Sequence, residues 1–296
     1  MSNFDFSAWS AAHLSRVERA LEQSMPAAAP AGLNDAMRYA VLGGGKRLRP
    51  LLALAACESV GGNVDAAMRA GCAVELIHAY SLVHDDMPSM DNDMLRRGKP
   101  TVHVKFGEAA ALLAGDALQA LAFECLTPPD GSVPGDMQAR LCGLLSRAAG
   151  AVGMAGGQAI DLASVGAALD EPSLKKMHEL KTGALLQASV MMGAACGAAT
   201  TAQTQALMAY GHAIGLAFQV VDDILDVTQD AATLGKTAGK DAQANKPTYV
   251  SVLGLARSEA YAQQLYSQAK AALCCVELGS AHALDVLADL VIKRTN

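Results

Sequence analysis

Residues 75–98 constrain the fold most, because they end a long apolar stretch with a crowd of charges. Within nine positions stand four aspartates, and two arginines follow at once: Asp85, Asp86, Asp91, Asp93, Arg96 and Arg97. Carboxylates this close repel one another unless cations lie among them. Clustered oxygen ligands suit Mg²⁺, and guanidinium groups bind phosphate oxygens as a fork. The segment therefore predicts a site for a metal ion and for the phosphate that the ion would carry.

The composition favours packed helices. Apolar residues make up 52% of the 296 residues, whereas aromatic residues, which are frequent in strands, make up only 4%. We predict an all-α fold in which residues 1–296 form a single domain. Helical periodicity predicts helices over residues 6–24, up to 42, 51–60, 64–87, 108–126, 136–153, 156–165, 173–181, 183–196, 203–226, 261–273 and 282–294.

Charge and cysteine usage exclude several classes of protein. The net charge of −6 argues against general nucleic-acid binding. The seven cysteines show no paired spacing, which is typical of a reduced, cytoplasmic chain. The acidic N-terminus resembles no signal peptide, and the apolar runs 109–121 and 184–199 are interrupted by charge or glycine. We expect a soluble, cytoplasmic protein without a membrane span.

A second acidic motif occurs late in the long helix predicted over residues 203–226. Asp222 and Asp226 are four positions apart and share one helix face with Gln219. Like charges at this spacing destabilise a bare helix, which indicates a counter-cation. A solvated acidic helix end is the alternative. Two such motifs, each late in an apolar helix, favour metal ions held between them.

Two basic segments offer sites for anions. After three glycines, Lys46 and Arg49 stand at a predicted helix start, where both could reach one anion. A solvated basic turn is the alternative. Beyond the second acidic motif, Lys236, Lys240 and Lys246 occupy turn positions where they could close over an anion. Each of them could equally be an ordinary surface lysine.

Seven blocks of the chain resemble, in the same order, the short-chain trans-prenyltransferases, or isoprenyl diphosphate synthases. They read GGGKRLRP, ELIHAYSLVHDDMPSMDNDMLRRG, KPTVHVKFGEAAALLAGDAL, GGQAIDL, HELKTGALL, IGLAFQVVDDILDVT and LGKTAGKD with NKPTY. The match is closest to the bacterial farnesyl diphosphate synthases. The resemblance implies a helical bundle around a deep central cavity, and normally a homodimer. One departure is Met94, which stands where many relatives have an aspartate.

The resemblance implies that the two acidic motifs hold three Mg²⁺ ions against an allylic diphosphate. Gln158 would accompany Asp161 in an inner position beside metal-bound water. The residues implied as metal ligands are Asp85, Asp86, Asp91, Asp161, Asp222, Asp226 and Asp241.

The same resemblance divides the basic residues between two substrates. Those implied for the allylic diphosphate, which is dimethylallyl or geranyl diphosphate, are Arg96, Lys181, Lys236 and Lys246. Those implied for isopentenyl diphosphate are Lys46, Arg49, His78 and Arg97. Thr182, Gln219 and the carbonyl of Lys181 would stabilise the allylic cation. The proton would leave with the departing diphosphate, so no protein base is required.

Product length is implied by two residues that precede the first aspartate. In the family the positions of Ser81 and Tyr80 help to form the floor of the product pocket, and a tyrosine there favours a C15 product, farnesyl diphosphate. On an ideal helix Ser81 lies roughly 40° from Asp85, whereas Tyr80 lies roughly 140° away. The floor therefore rests on the resemblance. A geranylgeranyl or geranyl diphosphate synthase is the alternative.

Three further interpretations compete. His84 and Asp85 could form the metal-binding pair of a helical phosphohydrolase, which would need further histidines such as His78, His103, His178 or His212. A non-catalytic partner subunit would keep the fold, although such subunits typically lose aspartates. A head-to-head condensing synthase would not need the site formed by Lys46 and Arg49.

Overall fold

The computed structural model describes residues 4–166, 169–228 and 246–294, and in these ranges the chain is almost entirely helical. The first part contains α1 (Phe6–Ser24), a 3₁₀ turn (Pro30–Gly32), α2 (Leu33–Val41), α3 (Leu48–Ser59), α4 (Val64–Asp85), α5 (Val102–Phe106), α6 (Glu108–Leu126) and α7 (Gly135–Ala149). The second part contains α8 (Met154–Ala163), α9 (Glu171–His178), a π-helical turn (Glu179–Gly183), α10 (Ala184–Ala195), α11 (Thr201–Thr228), α12 (Tyr249–Leu253), α13 (Leu255–Cys274) and α14 (His282–Lys293).

Strands are confined, in the described ranges, to one short ribbon. β1 (Leu95–Arg96) pairs antiparallel with β2 (Lys99–Pro100), so that Arg96 lies opposite Lys99. The ribbon follows the first acidic motif directly. The all-α prediction is therefore confirmed.

Helix α4 lies at the centre of the first half of the fold. The side chain of Asn63 caps it by accepting hydrogen bonds from the backbone N–H groups of Asp65 and Ala66. Most of its residues are buried, because it packs against α1, α2, α3, α6, α7 and α10. A helix that is apolar on nearly every side is stable only in such an interior position. It ends at Asp85, two residues before the predicted end, and Pro88 follows.

Two clusters of buried apolar side chains hold the helices together. One is formed around α4, α6 and α7 together with α1 and α2. The other is formed around α10, α11, α13 and α14 with part of α3. Helix α10 contacts α3, α4, α7 and α11, and so it joins the two clusters. Each acidic motif stands at the end of a helix from a different cluster.

The largest difference from the predicted elements is the π-helical turn between α9 and α10. We predicted two helices broken at Gly183, but the helix is continuous from Glu171 to Ala195. Neighbouring glycines make room for the wide turn. A Cβ atom on Gly157 would lie 2.1 Å from the Lys181 backbone nitrogen, and one on Gly215 would lie 2.8 Å from the Gly183 Cα atom. Such turns often occur at functional sites, and this one carries Lys181 and Thr182.

Smaller differences concern helix ends. Helix α3 begins at Leu48 and not at residue 51, because Pro50 lies in its first turn, where a backbone N–H has no partner to lose. Helix α13 begins at Leu255, six residues before the predicted start. Helix α7 ends at Ala149, four residues before the predicted end.

Helix α6 is long and apolar enough to cross a membrane by length and composition, and it is the one such helix in the described ranges. We predicted that this run would fall short, because Gly115 and Asp116 interrupt it. Its inner face packs against α4, whereas Leu112 and Leu113 on its outer face are exposed. Core helices often meet the same criterion, so α6 alone is weak evidence of a span.

Candidate active site

A cavity of about 380 Å³ brings eight of the predicted site residues together. Its walls come from α3, α4, α8, the π-helical turn and α10. Side chains of the small residues Ala155 and Ala159 and of Leu185 give it an apolar lining. The predicted residues that line it are Arg49, His78, Tyr80, Ser81, Asp85, Gln158, Lys181 and Thr182.

The backbone after α4 folds back so that the first acidic motif becomes compact. The backbone N–H of Asp91 donates to the carbonyl of Asp85 at 2.9 Å, and that of Asp93 donates to the carbonyl of Asp86 at 3.1 Å. Asp91 therefore lies beside Asp85 despite the residues between them. Burial, with help from Asp91, raises the pKa of Asp85 to about 6, although Lys181 opposes this shift. Ionisation of Asp85 is therefore disfavoured mainly by its burial.

Asp86 is held by an arginine of the same motif. Its carboxylate is almost fully buried and accepts hydrogen bonds from Nε and Nη2 of Arg96 at 2.9 and 2.6 Å. Arg96 also lies 3.9 Å from Asp93. Two of its nitrogens are therefore engaged with a residue that we predicted as a metal ligand, although we predicted that Arg96 binds the allylic diphosphate.

Two lysines stand among the carboxylates. Lys181 Nζ lies 2.5 Å from Asp161 Oδ2. Lys246 Nζ lies 2.8 Å from Asp91 Oδ1 and 3.6 Å from Asp161 Oδ2, so one ammonium group joins the first acidic motif to α8. Burial alone would raise the pKa of Asp161, but the two ammonium groups lower it. The lysines supply positive charge where the sequence predicted metal ions.

In the second acidic motif, two aspartates are buried and one is partly exposed. Asp223 accepts hydrogen bonds from Gln219 Nε2 and from the backbone N–H of Tyr249, both at 2.7 Å. Gln219 Oε1 in turn accepts from Thr182 Oγ1 at 2.8 Å, which joins two predicted site residues. Asp226 is buried, whereas Asp222 is partly exposed and lies 3.7 Å from Arg294 Nη2. The predicted residues Lys236 and Asp241 lie outside the described residues.

The four residues predicted for isopentenyl diphosphate form one basic corner. Arg49 Nε is buried and has no hydrogen-bond partner among the described residues. Burial and the nearby arginines lower the pKa of His78 well below its ordinary value, so its imidazole is neutral. Arg97 donates a hydrogen bond to the Gly44 carbonyl. Burial and Arg294 lower the pKa of Lys46. The alternative of a solvated turn fits only the exposed Lys46.

The donor atoms fit Mg²⁺ that is shared with a diphosphate. No three histidine, cysteine or carboxylate side chains within the described ranges lie close enough to hold a metal ion alone. The two acidic motifs nevertheless supply the oxygen ligands that Mg²⁺ prefers, and Mg²⁺ is usually bound by one or two carboxylates plus substrate phosphates. Gln158 adds a buried amide whose oxygen and nitrogen have no partner among the described residues.

The histidines do not support a phosphohydrolase site. His84 Nε2 lies 3.1 Å from the carbonyl of Leu112, and His103 pairs with Thr101. His212 lies 3.7 Å from Glu179. His103 and His212 are not among the residues that line the cavity beside Asp85, and His178 lies 4.0 Å from Asp223 of the second motif.

Four residues that the sequence analysis did not single out are part of the site. Asp223 fixes Gln219, and Arg294 reaches Asp222 from the end of the chain. Buried Arg47 pairs with buried Glu75 beneath the basic corner. A glutamate within an apolar helix was a usable signal, because such a carboxylate requires a partner. Arg294 carried no signal, because nothing in its local sequence relates it to α11.

Comparisons with known proteins agree with this geometry. The family model described as polyprenyl synthetase matches residues 30–277. A chloroplastic geranylgeranyl pyrophosphate synthase of Catharanthus roseus is 45% identical over 296 residues, which is 100% of this chain and 83% of that protein.

Solved structures agree as well. The apo structure of an FPP/GFPP synthase from Zymomonas mobilis has a TM-score of 0.86 and 41% identity, covering 97% of this chain and 98% of that one. A geranyltransferase from Helicobacter pylori, complexed with magnesium and isoprenyl diphosphate, has a TM-score of 0.85 and 33% identity, covering 99% and 98%. The chain therefore belongs to the polyprenyl synthetase family and is a prenyltransferase.

Proposed function

We propose that this protein is a Mg²⁺-dependent synthase that condenses isopentenyl diphosphate with allylic diphosphates to give geranylgeranyl diphosphate, a C20 product. The observation that carries the condensation is the cavity that Asp85 of the first acidic motif and Lys181 line together with Arg49 and His78 of the basic corner. The sequence resemblance favoured a C15 product. The relative from Catharanthus roseus, which matches the whole chain, favours C20, and we adopt it.

The acidic motifs are the proposed metal side of the cavity. Asp85, Asp91 and Asp222 would be the principal ligands, with Asp86, Asp161, Asp226 and Asp241 in support. Three ions are expected from the family resemblance. Bound there, Mg²⁺ would neutralise the charge that grows on the departing diphosphate.

Lysine and arginine residues would assist that departure. Lys181 and Lys246 now contact Asp161 and Asp91, and their flexible side chains can turn towards a diphosphate that is bound between the motifs. Arg96 and Lys236 complete the set proposed for the allylic diphosphate. No proton transfer is needed for this stabilisation.

Fixed dipoles would then face the allylic cation. Gln219 donates its amide N–H to Asp223, which leaves its oxygen directed at Thr182 on the cavity wall. A cation beside this wall meets oxygen lone pairs and no nucleophilic side chain. The carbonyl of Lys181, in the widened turn, is the third proposed dipole.

The basic corner is the proposed acceptor site. Arg49, Arg97 and Lys46 would bind the diphosphate of isopentenyl diphosphate, and neutral His78 can donate one N–H to it. The double bond of the acceptor would attack the allylic carbon, and the diphosphate that has left would accept the released proton. No protein base takes part.

Tyr80 and Ser81 bear on product length. The ring of Tyr80 packs edge-on against His84 at 5.7 Å, and its hydroxyl is within hydrogen-bonding reach of Gln119 on α6. Tyr80 nevertheless lines the cavity, and the C20 assignment rests on the relative from Catharanthus roseus. Ser81 lines the cavity on the same side of α4 as Asp85, so we expect Ser81→Phe to shorten the product to C15 or less.

Assembly and location are further parts of the proposal. We propose one domain over residues 1–296 and a homodimer formed through the exposed apolar face of α6, which includes Leu112 and Leu113. Light scattering of Leu112→Glu should then give a monomer. A cytoplasmic location remains our proposal, since the relative from Catharanthus roseus is chloroplastic.

Product analysis tests the proposal. Purified protein is incubated with Mg²⁺, isopentenyl diphosphate and either dimethylallyl, geranyl or farnesyl diphosphate, and the dephosphorylated products are separated by chromatography. A dominant C20 alcohol is expected. A dominant C15 alcohol would restore the farnesyl assignment, and no condensation would indicate the non-catalytic partner subunit.

A further inference from the structure

Glu75 is a buried carboxylate that takes no part in the steps described above. It lies on α4, three residues before His78 and ten before Asp85, so the three side chains share one stripe of the helix. Only 4% of Glu75 is exposed. A carboxylate in such a place is stable only with a cationic partner.

Its direct partner is Arg47, which is equally buried. Arg47 Nη1 donates to Glu75 Oε1 at 2.9 Å, and Arg47 Nη2 donates to the Val41 carbonyl at 2.7 Å. The other edge of the guanidinium faces Glu18 of α1, with Nε donating to Oε1 at 2.7 Å. The Glu18 side chain is 43% exposed, so only Glu75 balances the arginine from the interior.

Glu75 also acts on two arginines of the basic corner. Burial lowers the pKa values of Arg49 and Arg97, and the negative charge of Glu75 opposes this shift in both. Three guanidinium groups therefore share the field of one carboxylate. A diphosphate that enters the basic corner is therefore also exposed to the negative charge of Glu75, which lies beneath the arginines.

The backbone holds this arrangement at a cost in strain. Arg47 and Arg97 have φ angles of 50° and 53°, which side-chain-bearing residues rarely adopt. In this conformation Arg47 turns inwards to Glu75, while Arg97 packs against the glycine turn and bonds to the Gly44 carbonyl. The position of the arginines is therefore set by the fold before any substrate arrives.

An acceptor site of this kind must bind a diphosphate and also release it. The diphosphate of isopentenyl diphosphate remains on the product, which has to leave the corner before the next molecule enters. Three arginines without an internal anion would hold it more tightly. We propose that Glu75 is a built-in counter-anion that fixes Arg47 beneath the basic corner and weakens the hold of Arg49 and Arg97 on the diphosphate, so that the product can leave. This inference rests on the proposed acceptor site.

Glu75→Gln tests the proposal, because the glutamine is of the same size and can still accept from Arg47. Binding of isopentenyl diphosphate is measured by calorimetry in EDTA, where the metal-free acidic motifs repel a diphosphate and only the basic corner binds it. We expect affinity to rise on the order of tenfold, because one nearby negative charge is lost. In steady-state assays KM for isopentenyl diphosphate and kcat should both fall.

Two matched variants separate charge from shape. Glu75→Asp keeps the charge and should bind isopentenyl diphosphate as the wild type does. Glu18→Gln removes the solvent-side partner of Arg47 and should change the affinity by less than about twofold, because exposed charges are screened. Unchanged or weaker binding by Glu75→Gln, or equal effects of Glu75→Asp and Glu75→Gln, would overturn the proposal.

Poor folding of Glu75→Gln is also informative. The proposal predicts that inorganic pyrophosphate, as a replacement anion, raises the melting temperature of this variant more than that of the wild type. Absence of this extra rise counts against the proposal. Failure of the wild type to condense its substrates would refute the proposed function instead, and it would leave the binding comparison standing.

Discussion

The two acidic motifs carry similar aspartates on different backbones. In the first, α4 ends at Asp85, and a turn brings Asp91 back to hydrogen bond with the Asp85 carbonyl at 2.9 Å. In the second, Asp222 and Asp226 both belong to one uninterrupted helix, α11. The first motif is compact because of its turn, whereas the second relies on helical spacing alone.

In each motif, the second of two adjacent aspartates forms hydrogen bonds with other groups of the protein. Asp86 is held by the charged guanidinium of Arg96, and Asp223 is held by a neutral amide and a backbone N–H. Asp85 and Asp91 have Lys181 and Lys246 nearby, and Asp222 lies 3.7 Å from Arg294. In each pair of adjacent aspartates, one carboxylate thus faces the site and the other holds the motif to the rest of the protein. The partner of Asp86 is charged, whereas the partners of Asp223 are neutral.

The largest expected effect is loss of turnover when the facing carboxylates are removed. We expect Asp85→Ala and Asp222→Ala each to lower kcat about a thousandfold or more, because the departing diphosphate loses the metal that neutralises it. Turnover is measured over a range of Mg²⁺ concentrations.

Unchanged helical circular dichroism serves as the control for both variants. Near-normal turnover in either one would show that the two motifs do not act together. A large loss in only one would show that turnover depends on that motif alone.

Asp86 and Asp223 should contribute different amounts to the free energy of unfolding. We expect Asp86→Asn to cost roughly 3 kcal/mol, because it breaks a mostly buried ion pair, and Asp223→Asn to cost about 1 kcal/mol, the usual size for a neutral hydrogen bond. Urea unfolding of the metal-free proteins measures both. Equal losses of unfolding free energy would mean that the charge on Arg96 does not make Asp86 the more stabilising of the two aspartates. Asp223→Asn should also lower kcat more than it changes KM, since Gln219 can turn away from Thr182.

The sequence predicted the features that follow from helical spacing and from clustered charge. The apolar pattern predicted α4 and α11, and the crowding of Asp85 with its neighbours predicted a shared cationic site. It missed the π-helical turn, because Gly183 read as a break, and only the close approach of Gly157 and Gly215 makes a continuous helix possible. It also missed the pairing of Arg96 with Asp86, since either residue alone suited a ligand of the substrate.

A histidine behind the second motif makes stability depend on pH. His178 is stacked on Tyr249 and lies 4.0 Å from Asp223. Burial lowers its pKa to about 4, from 6.5 when unfolded. The unfolded chain therefore binds the extra proton first, and stability is complete above about pH 6.5 and falls as the pH is lowered towards 4.

His178→Gln should remove this dependence. We expect the wild type to lose about 2 kcal/mol more than the variant between pH 7 and pH 5, as measured by urea unfolding at each pH. A parallel pH dependence of the two proteins would contradict a neutral, buried imidazole. The first motif provides an internal control, because His84→Gln should leave the dependence in place.

The smallest expected effect concerns the charge of Asp85 in the compact first motif. Burial and the neighbouring aspartates raise the pKa of Asp85 to about 6, so its ionised form destabilises the metal-free fold at pH 7.5. Asp85→Asn should therefore stabilise the metal-free protein by about 1 kcal/mol, a value reduced because the side chain is partly exposed. The gain should vanish below pH 4, where the aspartate is protonated in both states. A loss of stability at pH 7.5 would mean that Lys181 already compensates the charge. In that case the turn after α4 brings the carboxylates together without a loss of stability from their repulsion, and the first motif does not differ from α11 in this respect.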